Sequence, residues 1–324
     1  MKRWIVAFFV LLIAMAISNT AFASMQKEKP AKKAIVLAVF GTSYTKTLKS
    51  ILNLQEKMEK AFPEIPVHLA FTSQIIRGKW AQRAFDEKWR KEHPEVPDYV
   101  YEIKNPLATI ANLQDQGYQY IAIQSTHIFA GEEYHNLKAV VQALDNIRTL
   151  RKRDKPFKKL ILGRPALGEP GDVYPYMKDI QRAARAVKGD VDFARKNRSA
   201  LVYMGHGNEI YSTGAYIEFQ EALRDAHPNV PIFVGTVEGF PGPKRVLNSL
   251  KRAGEKKVIL MPLMVVAGDH AANDMAGDEE DSWKSIFEKA GIAVEPVLRG
   301  LGELDAWGDI YVQNLKDAMR GANF

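Results

Sequence analysis

The chain has 324 residues, 46% of them apolar, and no low-complexity tract, which places it among globular proteins with one large or two ordinary domains. It has no cysteine, so disulfides, thiolate metal sites, iron–sulfur clusters and thiol catalysis are excluded, and any metal must be met by His and carboxylates. A net charge of +7 mildly favours acidic partners, but the basic residues are scattered and carry no nucleic-acid motif, so nucleic acid is not an expected partner.

Lys2 and Arg3 precede an uncharged apolar run from Trp4 to Ile17, and Ala21-Phe22-Ala23 then supplies the small-x-small pattern of a cleavage site. Residues 1–23 are therefore expected to be a signal peptide, and the mature chain to be exported, to a periplasm in a Gram-negative cell. The run is shorter than the roughly 20 residues of a comfortable membrane span, and no later stretch approaches that length. No membrane partner is expected after cleavage.

Ala34–Phe40 reads as a buried strand ending in Gly41-Thr42-Ser43, and Leu48, Ile51, Leu52, Gln55 and Met58 fall on one face of a following helix. Ala61-Phe62-Pro63-Glu64-Ile65-Pro66 leads into a second strand, Val67–Phe71. A stretch rich in cations and aromatics follows, residues 74–105, with Arg77, Lys79, Arg83, Trp80, Phe85 and Trp89. Its apolar spacing predicts one amphipathic helix through Ile76, Trp80, Phe85 and Trp89. Two readings stand: a surface helix with its aromatics on the core, or a lid that stacks on a flat acidic ligand. Beyond it come a strand within GYQYIAIQSTHIFAGEE, from Gly117, and the triplet Leu167-Gly168-Glu169.

The pattern then repeats. ALVYM from Ala200 runs into Gly205-His206-Gly207, a helix, Ala226-His227-Pro228-Asn229-Val230-Pro231 and a strand, so the A-x-P-x-[IV]-P element recurs at nearly the same distance from the strand-end glycine. GEKKVILMPLMVVAGDH from Gly254 lies over the Gly117 segment without a gap, and Leu301-Gly302-Glu303 answers Leu167-Gly168-Glu169. Four anchors in one order point to an internal duplication. The expected organisation is an N-terminal half, 24–195, with the 74–105 insert, and a C-terminal half, 196–324. Each half reads as alternating strands and helices, hence an α/β fold of two similar parallel sheets flanked by helices, with a cleft between the halves.

Ligands of open parallel sheets bind beyond the C-terminal strand ends. In the second half those ends carry His206 in M-G-H-G, Glu238 in G-T-V-E-G and His270 in V-A-G-D-H. Two imidazoles and a carboxylate suit a divalent metal such as Co, Ni, Fe or Zn, and three protein ligands leave room for a reacting partner. Each has a plain reading as well: a turn His between glycines, a Glu paired with Lys244, a His in an acidic helix-capping loop. The first half carries Thr42, Ser73 and Glu133 at the corresponding places. Glu132, Glu133, His127 and His135 make a further cluster, and Glu132 and Glu133 also suit the start of a helix. Gly41-Thr42-Ser43 lacks the Lys and the spacing of a phosphate loop, and no ATP site is expected.

G-T-S-Y, T-H-I-F-A-G-E-E-Y, M-G-H-G, G-T-V-E-G and V-A-G-D-H-A-A-N-D-M-A-G-D together resemble the anaerobic cobaltochelatases of cobalamin biosynthesis, the class II enzymes that metallate sirohydrochlorin without ATP. The resemblance covers essentially the whole mature chain. It implies a chelatase-like pair of α/β halves and insertion of Co2+, or Fe2+, into sirohydrochlorin. It also implies His206, Glu238 and His270 as metal ligands and catalytic residues, with a His as proton acceptor, and a homo-oligomer. Thr42, Ser43, Glu132, Glu133 and Arg164 are the expected substrate-binding residues, with Arg77 and Lys79 as further rim cations. Export departs from the cytoplasmic setting of cobalamin assembly. It keeps open a non-catalytic periplasmic carrier of metal, haem or another tetrapyrrole, in which His127 and His135 are candidate ligands of haem or a second metal. A generic two-lobed solute-binding protein is the broader alternative.

Overall fold

The computed structural model describes residues 31–171 and 173–324, and the expected signal peptide lies outside them. In chain order the first half forms β1 (Lys32–Val39), α1 (Thr45–Ala61), β2 (Val67–Phe71), α2 (Gln74–Ala84), α3 (Glu87–Glu92), α4 (Pro106–Asp115), β3 (Tyr118–Ser125), α5 (Glu132–Asp145) and β4 (Lys159–Gly163). Two helices, α6 (Tyr176–Ala186) and α7 (Lys188–Lys196), lead to the second half. There β5 (Ala200–Gly207), α8 (Gly214–Ala226), β6 (Ile232–Glu238), α9 (Pro243–Ala253), β7 (Lys257–Leu263), α10 (Trp283–Lys289), β8 (Ala293–Pro296) and α11 (Asp305–Gly321) follow.

The strands join as β2-β1-β3-β4 and β6-β5-β7-β8, the same order twice. Both faces of each sheet are covered, which is why the strands read as continuous apolar runs. Side chains alternate across a strand. Ile35, Leu37 and Val39 of β1 therefore enter a central core, and Ala34, Val36 and Ala38 enter an outer one. In β5, Leu201 and Tyr203 join the same central core, while Ala200, Val202 and Met204 pack outward. The expected α/β class with two similar halves is what the chain forms.

The halves are not separable domains. Helix α11 ends the chain yet packs on β3, β4 and α1 of the first half, while α6 and α7, which precede β5, pack on α8 and β5 of the second. Tyr311 of α11 is fully buried and donates its hydroxyl to Thr126 O at 2.7 Å. This exchange fuses the central core, and Lys33–Phe324 forms one compact unit.

The insert departs from the single helix that its spacing predicts. It breaks at Phe85-Asp86, because Asp86 caps α3 by accepting from Trp89 N–H at 2.9 Å and Phe85 is left 90% exposed. Trp80, Trp89 and Tyr101 pack inward, while Tyr99 stays 47% exposed. Trp80 is buried against Trp89 and Tyr101, with ring centroids 5.7 and 5.8 Å away, and Arg83 lies over both tryptophans. These three rings serve the core and do not form a stacking lid.

In both sheets the first strand lies between the second and the third. The chain therefore leaves β1, and again β5, in opposite directions along the sheet, and a crevice opens at the C-terminal ends of β1 and β3 and of β5 and β7.

Candidate functional site

Those crevices meet in one cleft of about 310 Å³. The first half contributes Phe40 to Tyr44, Ser73, Ile75, Ile76, Lys79, His127 and Glu133, and the second His206, Gly207, Tyr216, Met264 and Asp269-His270. The loop after β1 is held from behind. Trp80 Nε1–H donates to Thr42 O at 2.8 Å and an Arg83 N–H donates to Ser43 O at 2.6 Å. Gly41 turns this loop with φ +103°, a backbone conformation that side chains rarely adopt.

His206 sits in the last residues of β5. Gly207, with φ +75°, is paired in register with Glu238, and a Cβ there would run into the Glu238 carbonyl. Glycine thus lets the ends of β5 and β6 close up, so that His206 and Glu238 share one edge. The His206 Nδ1–H donates to Gly207 O at 3.0 Å, and Glu238 Oε2 stands 3.9 Å from the same nitrogen. His270 opens a π-helical turn, Ala271–Met275, and its Nδ1–H donates to Asp274 Oδ2 at 2.7 Å. The His206 and His270 rings lie edge to face, 4.8 Å between centroids. In both, Nδ1 is engaged by a protein oxygen, which leaves Nε2 as the donor atom of a neutral imidazole.

Glu238 is the looser member. Its side chain is 45% exposed, it does not line the cleft, and it approaches the nitrogen of His206 that is already in use. Among the described residues no three His, Asp or Glu side chains form a ready-made metal site. Closing the set on a metal at the Nε2 atoms requires Glu238 to rotate inward from the rim.

Of the remaining expected residues, Thr42, Ser43, Glu133 and His127 line the cleft, and Glu132 and His135 do not. His135 stacks on Tyr211, with ring centroids 4.4 Å apart. The Nδ1 of His127 is bonded to Ser125 Oγ at 2.8 Å and its Nε2 is buried without a partner. Removal from water pushes the His127 pKa down to about 4. It is a neutral imidazole and a poor proton acceptor.

Arg164 corrects the expectation of a substrate cation. It is buried and bonded to Asp179 at 2.6 and 2.9 Å and to Asp317 at 2.9 Å, an internal brace that ties the end of β4 to α6 and α11. Arg77 likewise turns inward onto the Phe71 and Thr72 carbonyls. Of the three named cations only Lys79 lines the cleft, and it has no ion-pair partner among the described residues.

The sequence reading missed two features of the mouth. Tyr44 donates to Asp269 Oδ1 at 2.7 Å, joining the loop after β1 to the loop after β7, and this bond raises the phenol's pKa. Asp274, within the acidic loop read as helix-capping, orients His270, and its spacing four residues after that His was the available signal.

The family described as "Cobalt chelatase (CbiK)" matches residues 33–320. The sirohydrochlorin cobaltochelatase of Salmonella typhimurium is 35% identical over 292 residues, covering 90% of this chain and 98% of that protein. Sirohydrochlorin cobaltochelatase CbiKC of Nitratidesulfovibrio vulgaris is 33% identical over 288 residues, 89% of this chain and 91% of that one. Among solved structures, SirB from Bacillus subtilis with Fe3+ superposes with a TM-score of 0.57 at 10% identity, covering 90% of this chain and 98% of SirB. The sirohydrochlorin chelatase SirB of Bacillus subtilis subspecies spizizenii in complex with cobalt gives 0.54 at 11% identity, covering 90% and 97%. At such identities these two speak for the fold alone.

Proposed function

The chain belongs to the cobalt chelatase family, and from that premise we propose that its cleft inserts Co2+ into sirohydrochlorin without ATP, on His206, His270 and Glu238. It is a metal chelatase, of the lyase class. The observation that carries the site assignment is the facing pair of imidazoles, each with Nδ1 held and Nε2 free.

Insertion exchanges one divalent ion for two pyrrole N–H protons. His206 and His270 take the ion on Nε2, and Glu238 swings in from the rim to complete the set. As the ion passes to the macrocycle, each Nε2 lone pair is released beside an N–H that must lose its proton. Two imidazoles thus return two protons' worth of acceptor capacity at the moment it is needed. Glu133 faces the same space from the other half and is a further acceptor. His127 stays neutral. The cleft orients the ring and strips water from the ion.

On the substrate side, Lys79 meets a carboxylate of the rim, while Thr42 and Ser43 present their loop to the ring. That loop has no Lys for a nucleotide phosphate, and its carbonyls are held by Trp80 and Arg83, which supports a reaction without ATP. Co and Fe ions suit the same N and O donors, so Fe2+ is a second metal substrate in this reading. The reading places the reaction in the periplasm, on the strength of the n-region, apolar run and A-x-A site of residues 1–23.

The test is optical. Purified protein is mixed with sirohydrochlorin and Co2+, then with Fe2+, and absorbance is followed against the protein-free rate. Acceleration that disappears in His206→Ala and His270→Ala is the expected result. No acceleration, together with tight binding of metal or haem, would replace the enzyme by a carrier built on a chelatase fold.

A further inference from the structure

Seven of the thirteen residues from 147 to 159 are Lys or Arg and one is acidic. This segment joins α5 to β4. Its base is fixed. Phe157 is buried in the outer core of the first sheet, Lys158 N–H donates to Gln119 O at 2.9 Å, and Lys155 pairs with Asp145 at 3.5 Å. Its tip is displayed. Leu150 is 107% exposed, fully in water, with half-exposed Ile147 beside it and Arg148 and Arg151 on either side. Arg148, Arg151, Lys152 and Lys158 are exposed and have no carboxylate partner among the described residues.

An apolar side chain held out in water costs stability that a solvated loop could avoid with a polar residue. A basic loop with an aliphatic tip matches an anionic bilayer. The cations meet the headgroup charge and the leucine enters the boundary with the acyl chains. Nucleic acid would use the cations but has no comparable place for Leu150 and Ile147, and the tip carries no aromatic ring on which a base could stack. No described helix is long and apolar enough to cross a membrane, so the contact is peripheral.

The placement fits as well. Lys159 pairs in register with Tyr120 at the start of β3 and β4, so the loop lies at the N-terminal edge of the first sheet. The cleft opens at the C-terminal edge, roughly 15 Å or more along the strands. A surface bound at one pole leaves the other open to substrate.

We propose that residues 147–158 dock this protein on anionic phospholipid. This departs from the sequence expectation of no membrane partner, and it stands independently of the chelatase reading. The test uses the full chain and vesicles of phosphatidylcholine with or without phosphatidylglycerol, read by co-sedimentation. Partition onto the anionic vesicles is expected to exceed that onto the neutral ones by about tenfold or more, and to fall with added salt. Arg148→Glu/Arg151→Glu/Lys152→Glu should abolish that excess. Leu150→Asp should lower it severalfold and leave the salt dependence in place. A variant with the same net charge made elsewhere, Lys244→Glu/Lys251→Glu/Arg252→Glu on α9, should keep it, and chelation in solution should be unchanged in all three. Equal binding to both vesicles overturns the proposal, as does equal loss in the α9 variant. Preference for an oligonucleotide over the anionic vesicles would also overturn it.

Discussion

Thr42 and His206 hold the same place in the two halves, at the end of the first strand of each sheet, and so do Ser73 and Glu238, and Glu133 and His270. What separates Thr42 and Ser73 from their counterparts is how much of each side chain the chain itself uses. Thr42 Oγ1 bonds Thr47 at 2.8 Å and accepts from Tyr44 N–H at 3.1 Å. Ser73 caps α2 through Ile76 N–H. In the second half only one nitrogen of each imidazole is engaged, and Glu238 has no close partner. One fold thus has Thr42 and Ser73 shape the cleft wall in one half, while the imidazoles of the other offer metal donors. Orientation by a protein oxygen, with the distal nitrogen left over, makes the second half reactive.

Exchanging residues between the halves breaks the comparison at its strongest point. His206→Thr installs the first half's residue and should lower chelation by about 10²–10⁴-fold, with loss of metal affinity, measured by the absorbance assay and by metal titration. The reverse change, Thr42→His, should add no second metal site, because the neighbouring Ser73 is already committed to capping α2 through Ile76 N–H. A second bound metal in that variant would show that side-chain identity alone, not local engagement, separates the halves.

The next largest effect concerns stability. After its last strand each half carries an arginine tied to a linker helix, Arg164 to Asp179 and Arg299 to Asp190 at 2.7 Å. Arg164 is the more buried, and Arg164→Met leaves two carboxylates short of a partner. It should cost about 3 kcal/mol in a denaturant melt. Metal affinity in the surviving folded protein should not change. A loss of substrate affinity without a loss of stability would restore Arg164 as a substrate cation.

A smaller effect sits beside the metal. Asp274 falls where the first half has buried Leu137, four residues beyond Glu133. Asp274→Asn keeps the shape but weakens the hydrogen bond that orients His270. Metal affinity should fall by about 10- to 100-fold at unchanged stability.

The contrast also explains what was legible in the sequence. Strand ends are local features, marked by a run of apolar residues and a glycine, so His206, His270 and the α/β class could be read without tertiary information. The fate of a long cation could not. Arg164, Arg77 and Lys79 look alike in a sequence, and only the packing of α6 and α11 makes one a brace while the next lines the cleft. The exchange of α11 for α6 and α7 was hidden for the same reason, because amphipathic periodicity shows that a helix has a buried face and not which sheet it covers. Residues 74–105 misled because apolar spacing continued across Phe85-Asp86, where an Asp cap outweighed it.

The least effect expected is a pH dependence of stability, and it belongs to the first half. In the ungapped overlay His127 answers Met264, and both line the cleft. The folded pKa of about 4 lies below the value of about 6.5 for an unfolded His. Between those values the unfolded chain binds the extra proton, so stability rises with pH through that window and is lost as pH falls from about 6.5 towards 4. From about pH 7 to about pH 5.5 the loss from this one group is about 1 kcal/mol. His68, which burial also shifts downward, acts with the same sign. A simple pH profile therefore sums several groups, and the difference between wild type and His127→Met isolates one. That variant copies the second half's residue into the first, and its urea midpoint should vary less with pH than the wild-type midpoint. Parallel curves for the two proteins would mean that His127 protonates freely in the folded cleft, and that it belongs among the proton acceptors after all.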